Sequence, residues 1–308
     1  MRIVIALGGN ALLRRGERPD AAIQLAHLVS AAPALAKVAS EHDVVLVHGN
    51  GPQVGLLALE SSADTTLSRP YPLSDLVAET QGIIGYWIQQ ALANAGLPRP
   101  AVALVTQTVV DRDDPGFHEA TKFVGSGYDE ATAREIAAQN GWTVRQDGST
   151  WRRVVPSPRP QRIVELDTAE LLLRNHTTVI LAGGGGVPVV DGPDGLTGVE
   201  AVVDKDYVAA LIATELHADL LVMLTDVPAV YVDFGTPGQR PLHAVAITDL
   251  DKYAFPAGSM GPKVTAARLF VEATNGRAAI GSLDDATAVV AGTAGTQIHE
   301  AGRRHTSN

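Results

Sequence analysis

Short apolar runs alternate along this chain with longer stretches in which hydrophobic residues recur at helical spacing. The runs at 2–7, 43–47, 101–106, 178–182, 220–224 and 277–280 predict strands. Most are continuously apolar rather than alternating, as strands covered on both faces are. They therefore predict an α/β fold: an open, mainly parallel sheet sandwiched between helices. A helix is predicted from Ala21 to Ser40, with a kink at Pro33. A longer one is predicted from Ser74 to Ala95, stopped by Gly96 and Pro98. Asp167 with Glu170 reads as a capping box, and Asp204 as the cap of a helix reaching Leu216. Pro262 reads as the first residue of a helix ending near Asn275 and Gly276.

The stretch from about 117 to 162 breaks this rhythm. It holds Gly125, Gly127, Gly141 and Gly148, two of the three tryptophans (Trp142 and Trp151) and a proline cluster at 156–160. Residues 142–146 and 151–155 predict a hairpin across Asp147, Gly148 and Ser149. The whole stretch predicts a small subdomain inserted into one domain of 308 residues. The proline cluster reads as an extended return connection, and the tail from about Gly302 as disordered.

Composition narrows the partners. A hydrophobic content of 45% is ample for a full core. A net charge of -10 argues against nucleic acid or an anionic membrane as the main partner. It leaves room for anionic small molecules, because a few lysines can make a positive pocket inside an acidic protein. The sequence contains no cysteine, which excludes disulfides, thiol nucleophiles and cysteine metal sites. The apolar opening stops at Gly8, too soon for a signal sequence. No run is expected to reach the roughly eighteen apolar residues of a membrane span. A cytoplasmic protein is the expectation.

The candidate chemistry lies in lysines and glycines. Only five lysines occur against nineteen arginines, and three of the five sit at marked turns: Lys122 before Gly125, Lys205 between Asp204 and Asp206, and Lys263 after Gly258-Ser259-Met260-Gly261-Pro262. A lysine among arginines suggests a need for a compact point charge on a flexible stem. Such charges suit a phosphoryl group in transit, where catalysis is mostly positioning and neutralisation. The predicted helix starts place Lys205 and Lys263 in first turns. A cation is unfavourable there unless an anion also binds the free amides.

Three predicted strands end in glycine-rich turns: Gly8-Gly9-Asn10, Gly49-Asn50-Gly51-Pro52 and Gly183-Gly184-Gly185-Gly186. All should gather at the carboxyl edge of the sheet, where open α/β sheets bind ligands. There, backbone amides unobstructed by a Cβ can approach oxygens. Gly183 and Gly184 join the first two turns as candidate substrate contacts.

Other phosphate and hydrolase signatures are absent: no P-loop, no dinucleotide fingerprint, no zinc-helix spacing and no nucleophile elbow. Asp111-Arg112-Asp113-Asp114-Pro115 reads as a solvated loop rather than a metal site. His48 reads as a structural hydrogen-bonder rather than an acid/base. Asp206 can orient Lys205 by a charge-assisted hydrogen bond. Asp226 either contacts a nucleotide or caps a turn.

The pieces ALGGNALL (6–13), HGNGPQVG (48–55), QGIIGY (81–86), TQTVVDRDDPGF (106–117), WRRVVPSP (151–158), GGGGVPV (183–189), VVDKD (202–206), LTDVPAVYVDFGTPGQ (224–239) and GSMGPKV (258–264) run over nearly the whole chain. By them the chain resembles the carbamate kinases of the amino acid kinase family. Other branches of that family usually carry a lysine just before the first paired glycines, where this chain has Ile5, Ala6 and Leu7.

The resemblance implies the amino acid kinase fold and the reversible reaction of ATP with carbamate to give ADP and carbamoyl phosphate. It implies work towards ATP, a homodimer and a place in arginine catabolism. It also implies that Gly8, Gly9, Asn10, Gly49, Asn50 and Gly51 hold carbamoyl phosphate. Lys205 would neutralise the moving phosphoryl group, organised by Asp206, and Lys263 would bind nucleotide phosphate. Lys122 would reach in from the insert, a mobile lid. Asp226, Tyr231, Met260 and Gly261 would line the nucleotide site, and magnesium would ride on the ATP phosphates rather than in a protein cage. Two readings stay beside it: a kinase for a different acyl phosphate, and a non-catalytic nucleotide-binding regulator on the same fold.

Two departures stand out. After Lys122 the family commonly has Pro-Ile-Gly-Pro-Phe-Tyr, whereas this chain has Phe123-Val124-Gly125-Ser126-Gly127-Tyr128. The loss of two prolines and the gain of a glycine predict a looser hinge. Pro228 stands where an acidic residue is often found.

Overall fold

The computed structural model describes residues 1–14, 16–255 and 260–301, with only the backbone of Asn10 and Ala11. The tail from Gly302 and the turn residues Gly258 and Ser259 lie outside the described residues.

The continuously apolar runs form an eight-stranded sheet. Its order is Ala244–Ala246, Thr296–His299, Arg277–Ser282, Leu220–Thr225, Arg2–Leu7, Asp43–His48, Thr178–Ile180 and Ala101–Ala103. Pairings are parallel throughout except where Thr296–His299 runs antiparallel to Arg277–Ser282. Both faces are covered, as the unbroken hydrophobic pattern requires. In the first strand Val4 and Ala6 belong to one core cluster, while Ile3, Ile5 and Leu7 belong to another on the opposite face. Each of these side chains is at most 1% exposed, so successive residues stabilise opposite layers.

The predicted strand at 101–106 is shorter than its apolar pattern. It ends at Ala103, and the chain resumes as Gln107–Val110 in a separate four-stranded sheet. The break comes at Thr106, whose amide donates to Gln81 Oε1 at 2.8 Å and whose hydroxyl accepts from the Ala182 amide at 3.0 Å. Side chains thus take over the groups that the sheet would have used.

The helix Ala21–Glu41 continues through Pro33. The missing Pro33 amide leaves the carbonyl of Val29 without its helical donor, and Val29 is exposed, so water can take that place. By length and composition this helix could cross a membrane, contrary to the expectation that no segment would. Its Leu28, Ala31, Leu35 and Val38 are instead buried in the core against the Asp43–His48 layer.

The capping box expected at Asp167 does not form. The helix Leu166–Arg174 follows Glu165, whose carboxylate accepts from the amide and side chain of Gln107 at 2.7 and 3.0 Å. Asp204 does cap its helix, Lys205–Glu215, accepting from the Asp206 amide at 2.9 Å. The third predicted start moves: the helix Met260–Thr274 is already formed at Met260, so Pro262 is its third residue.

The insert is a three-stranded antiparallel sheet, Lys122–Tyr128 beside Thr150–Val155 beside Thr143–Asp147, with the helix Glu130–Asn140. The hairpin turns at Gly148, which has φ of 62°. The sheet docks on the helix Gly51–Ala63, where a Cβ at Gly55 would fall 2.0 Å from the Gly125 Cα. Two glycines meet there because no other residue leaves room for such a backbone approach. Gly125 is the glycine that the family shares; the glycine gained after Lys122 is Gly127, where a Cβ would fall 2.6 Å from Thr150 Oγ1.

Candidate functional site

Four neighbouring strands of the main sheet end side by side at their carboxyl edge, and each hands over to a candidate loop. Leu220–Thr225 leads to Asp226, Arg2–Leu7 to Gly8, Asp43–His48 to Gly49, and Thr178–Ile180 to the four-glycine turn. Close backbone approaches weld these loops together. A Cβ at Gly49 would meet the Gly9 amide nitrogen at 3.0 Å and Lys205 Cε at 3.4 Å. A Cβ at Gly185 would fall 2.1 Å from the Val203 carbonyl oxygen, just before the lysine-bearing helix. Gly184 has φ of 69°, and a Cβ on it would fall 2.1 Å from Asn50 Nδ2. That nitrogen donates to Thr80 Oγ1 at 2.9 Å, which fixes the amide of a buried Asn50.

The three lysines converge beside these turns. Lys205 Nζ donates to Asp206 Oδ1 at 2.5 Å, and Lys263 Nζ to Asp206 Oδ2 at 3.1 Å. Lys122 Nζ reaches in from the inserted sheet to Asp204 Oδ2 at 2.6 Å. Asp206 is 3% exposed and Lys205 8%, so these charges face one another with little water between them. Lys205 is the first residue of its helix and Lys263 the fourth of its own, so the positive ends of two helix dipoles add to the ammonium charges.

Burial and charge compete in this cluster. Burial alone would raise the Asp206 carboxyl, but Lys205 and Lys263 outweigh it and hold the group well below the ordinary carboxylate range. Burial likewise works to raise Asp204, and Lys122 lowers it. For Lys205 burial wins: desolvation, with Lys263 beside it, pulls the ammonium below the usual lysine value despite Asp206. Lys122 goes the other way, because Asp204 overcomes the effect of burial and raises it.

His48 is buried and donates from Nδ1 to the Gly49 carbonyl oxygen at 3.0 Å, a tautomer inferred from that acceptor. Burial pushes its pKa down to about 4, so the ring is neutral at pH 7 and braces the glycine turn. The acidic loop at 111–114 also serves the backbone. Asp114 Oδ1 accepts from the Gly116 amide at 2.6 Å and Oδ2 from the Arg159 amide at 3.0 Å.

The other candidates are placed as follows. Asp226 is exposed directly after its strand and accepts from Thr225 Oγ1 at 3.0 Å. Met260 and Gly261 open the helix that carries Lys263. Tyr231 lies on a separate two-stranded ribbon, with its ring centroid 6.1 Å from that of Phe234. The Asn10 side chain lies outside the described residues.

Reading the sequence missed Asp204 and Thr80 as members of the site. Asp204 was legible only as a cap, although its place beside Lys205 was a signal. Thr80 carried none, being one threonine in a long helix. A cavity of about 430 Å³ lined by Tyr86, Gln89, Arg99 and Ala101 contains none of the clustered residues.

Residues 1–282 match the model of the amino acid kinase family. The carbamate kinase of Rhizobium meliloti (strain 1021) is 50% identical over 303 residues, covering 97% of this chain and 93% of that protein. Among solved structures, the carbamate kinase from Giardia lamblia bound to citric acid superposes with a TM-score of 0.91 at 39% identity, covering 97% of this chain and 98% of that one. The Giardia lamblia enzyme bound to AMP-PNP gives 0.87 at 39% identity over the same shares. The chain belongs to the amino acid kinase family and, within it, to the carbamate kinases.

Proposed function

We propose that this chain transfers a phosphoryl group reversibly between ATP and carbamate, and that it works towards ATP. The observation that carries the reading is the convergence of three lysines from distant segments on two buried aspartates beside the glycine turns. In the ATP-forming direction, a terminal phosphate oxygen of ADP attacks the phosphorus of carbamoyl phosphate. The bond from phosphorus to the carbamoyl oxygen breaks, and carbamate leaves with the electron pair. No proton need move, so the protein's work is positioning and charge neutralisation.

In this reading the amides of Gly8, Gly9, Asn10, Gly49, Asn50 and Gly51, with Gly183 and Gly184 behind them, hold the carbamoyl phosphate. Lys205 follows the transferring group, Lys263 holds nucleotide phosphate, and Lys122 closes the site from the insert, which acts as a lid. Asp206 holds Lys205 and Lys263 apart at fixed positions. Asp226, Tyr231, Met260 and Gly261 line the nucleotide.

Magnesium fits as a companion of the phosphates. Both Asp206 oxygens accept from ammonium groups, Asp204 is taken by Lys122 and an amide, and among the described residues no three acidic or histidine side chains stand together as a cage. When bound it would neutralise phosphate charge.

The reading also takes the protein to be cytoplasmic, in arginine catabolism, and a homodimer. The exposed Ile83 and Tyr86, one turn apart on the helix Leu73–Asn94 beside the edge strand Ala101–Ala103, offer a face for a second copy.

The test is ATP formation from ADP, magnesium and carbamoyl phosphate, with Lys205→Ala as control and acetyl phosphate as competing donor. Rapid ATP formation that the variant loses while still binding ADP is expected. Preference for acetyl phosphate would favour a different acyl-phosphate kinase. ADP binding without turnover would favour a regulator.

A further inference from the structure

The segments that join the inserted sheet to the main body pack on each other. Besides accepting from Gly116 on the outgoing segment, Asp114 accepts from the Arg159 amide on the return segment. A Cβ at Gly116 would fall 2.7 Å from the Ser157 carbonyl oxygen, so the two strands of chain touch along their backbones. From this junction the Arg159 guanidinium stacks on the Tyr207 ring, with its Cζ 3.5 Å from the ring centroid. Tyr207 belongs to the same first turn that carries Asp204, Lys205 and Asp206.

Lys122 sits at the base of the inserted sheet, in register with Val155 just before the return segment leaves. It contacts Asp204, three residues before Tyr207, so the base of the insert touches one helical turn twice. One contact is the ion pair of Lys122, and the other is the Arg159 stack.

We infer that Arg159, held by Asp114 and stacked on Tyr207, is a positioning residue that seats Lys122 beside Asp204. This rests on the kinase reading given above. Arg159 is exposed, so it can be removed without opening the core. A planar guanidinium stacks on a ring in a way that the ammonium of lysine does not. The contact therefore fixes direction as well as distance.

The experiment is a double-mutant cycle in the active enzyme, following ATP formation from carbamoyl phosphate. Arg159→Ala is expected to lower kcat about fivefold, in line with an exposed cation–π contact, and to leave the Kd for ADP unchanged. In the Lys122→Ala background the same substitution is expected to change kcat less than twofold, because its effect passes through Lys122. Tyr207→Phe, which keeps the ring, should retain wild-type kcat, while Tyr207→Leu should match Arg159→Ala. An equal loss from Arg159→Ala in both backgrounds would overturn the inference, since Arg159 would then act without Lys122. A wild-type kcat in Arg159→Ala would overturn it as well. Wild-type protein that forms no ATP would instead refute the kinase reading, before the cycle begins.

Discussion

Asp206 is the residue on which the site turns, because two ammonium groups depend on it. Asp206→Asn would leave Lys205 and Lys263 buried against each other without their shared counter-charge. We expect a loss of about 3–5 kcal/mol in unfolding free energy, read by urea denaturation, because breaking a buried ion pair strands its partner. The pH dependence has a defined sign. Asp204 and Asp206 are held below their unfolded values, so their contribution to stability is full above about pH 4, the unfolded carboxylate range, and is lost as the pH falls towards the folded values. Thermal unfolding from pH 7 down to 3 should show the gap between wild type and Asp206→Asn narrowing below about pH 4, with part of it still present at pH 3 because the folded carboxyl titrates well below the ordinary range. A gap that persists unchanged at pH 3 would mean that the carboxylate is not the source of the stability. Lys205 acts in the same sense at higher pH: its ammonium is disfavoured by burial, and that penalty is relieved as the pH rises from its lowered folded value towards the unfolded one.

Among elements, the contact between the helix Gly51–Ala63 and the inserted sheet decides whether Lys122 can reach the cluster. Gly55→Ala places a methyl 2.0 Å from the Gly125 backbone, which cannot yield as a side-chain tip would. The sheet must tilt away and take Lys122 with it. We expect ATP formation to fall by about a hundredfold, the scale of a misplacement near 1 Å. Trp142 packs in the small apolar cluster with Val54 and Ala58 of that helix, so its emission should shift to the red. Normal turnover with unchanged emission would show that the close approach is not needed.

The hairpin of this sheet was legible because Gly148 supplies the turn. Its seat on the helix was not, because a glycine pair at 55 and 125 looks like any other until the backbones are seen to meet. The continuous strands of the main sheet were legible for the opposite reason, since burial on both faces leaves no polar alternation. Gly195–Gly198 is exposed along its length and Thr296–His299 is short and mixed, so neither announced itself.

At the scale of the whole molecule, the sheet ends on Ala101–Ala103, whose outer edge pairs with no strand among the described residues. An unpaired edge beside exposed Ile83 and Tyr86 is a template for association. For the proposed homodimer, Tyr86→Glu should lower the sedimenting mass to that of one 32.2 kDa chain while leaving the far-ultraviolet circular dichroism intact. A wild-type protein that already sediments as a single chain would refute the dimer.

The sequence by itself determined the parts. Its apolar runs set the strands, its glycines marked the turns at their ends, and three of its five lysines marked charges that the fold gathers. Each of these is a local property, written in neighbouring residues. Only the tertiary structure decided the pairing. Lys122 meets Asp204 across 82 residues, and Lys263 meets Asp206 across 57. No local pattern can say which carboxylate a distant ammonium will face. That choice follows from the parallel sheet, which brings the loops of separate strands to one edge, and from the docking of the insert, which carries a lysine across to them.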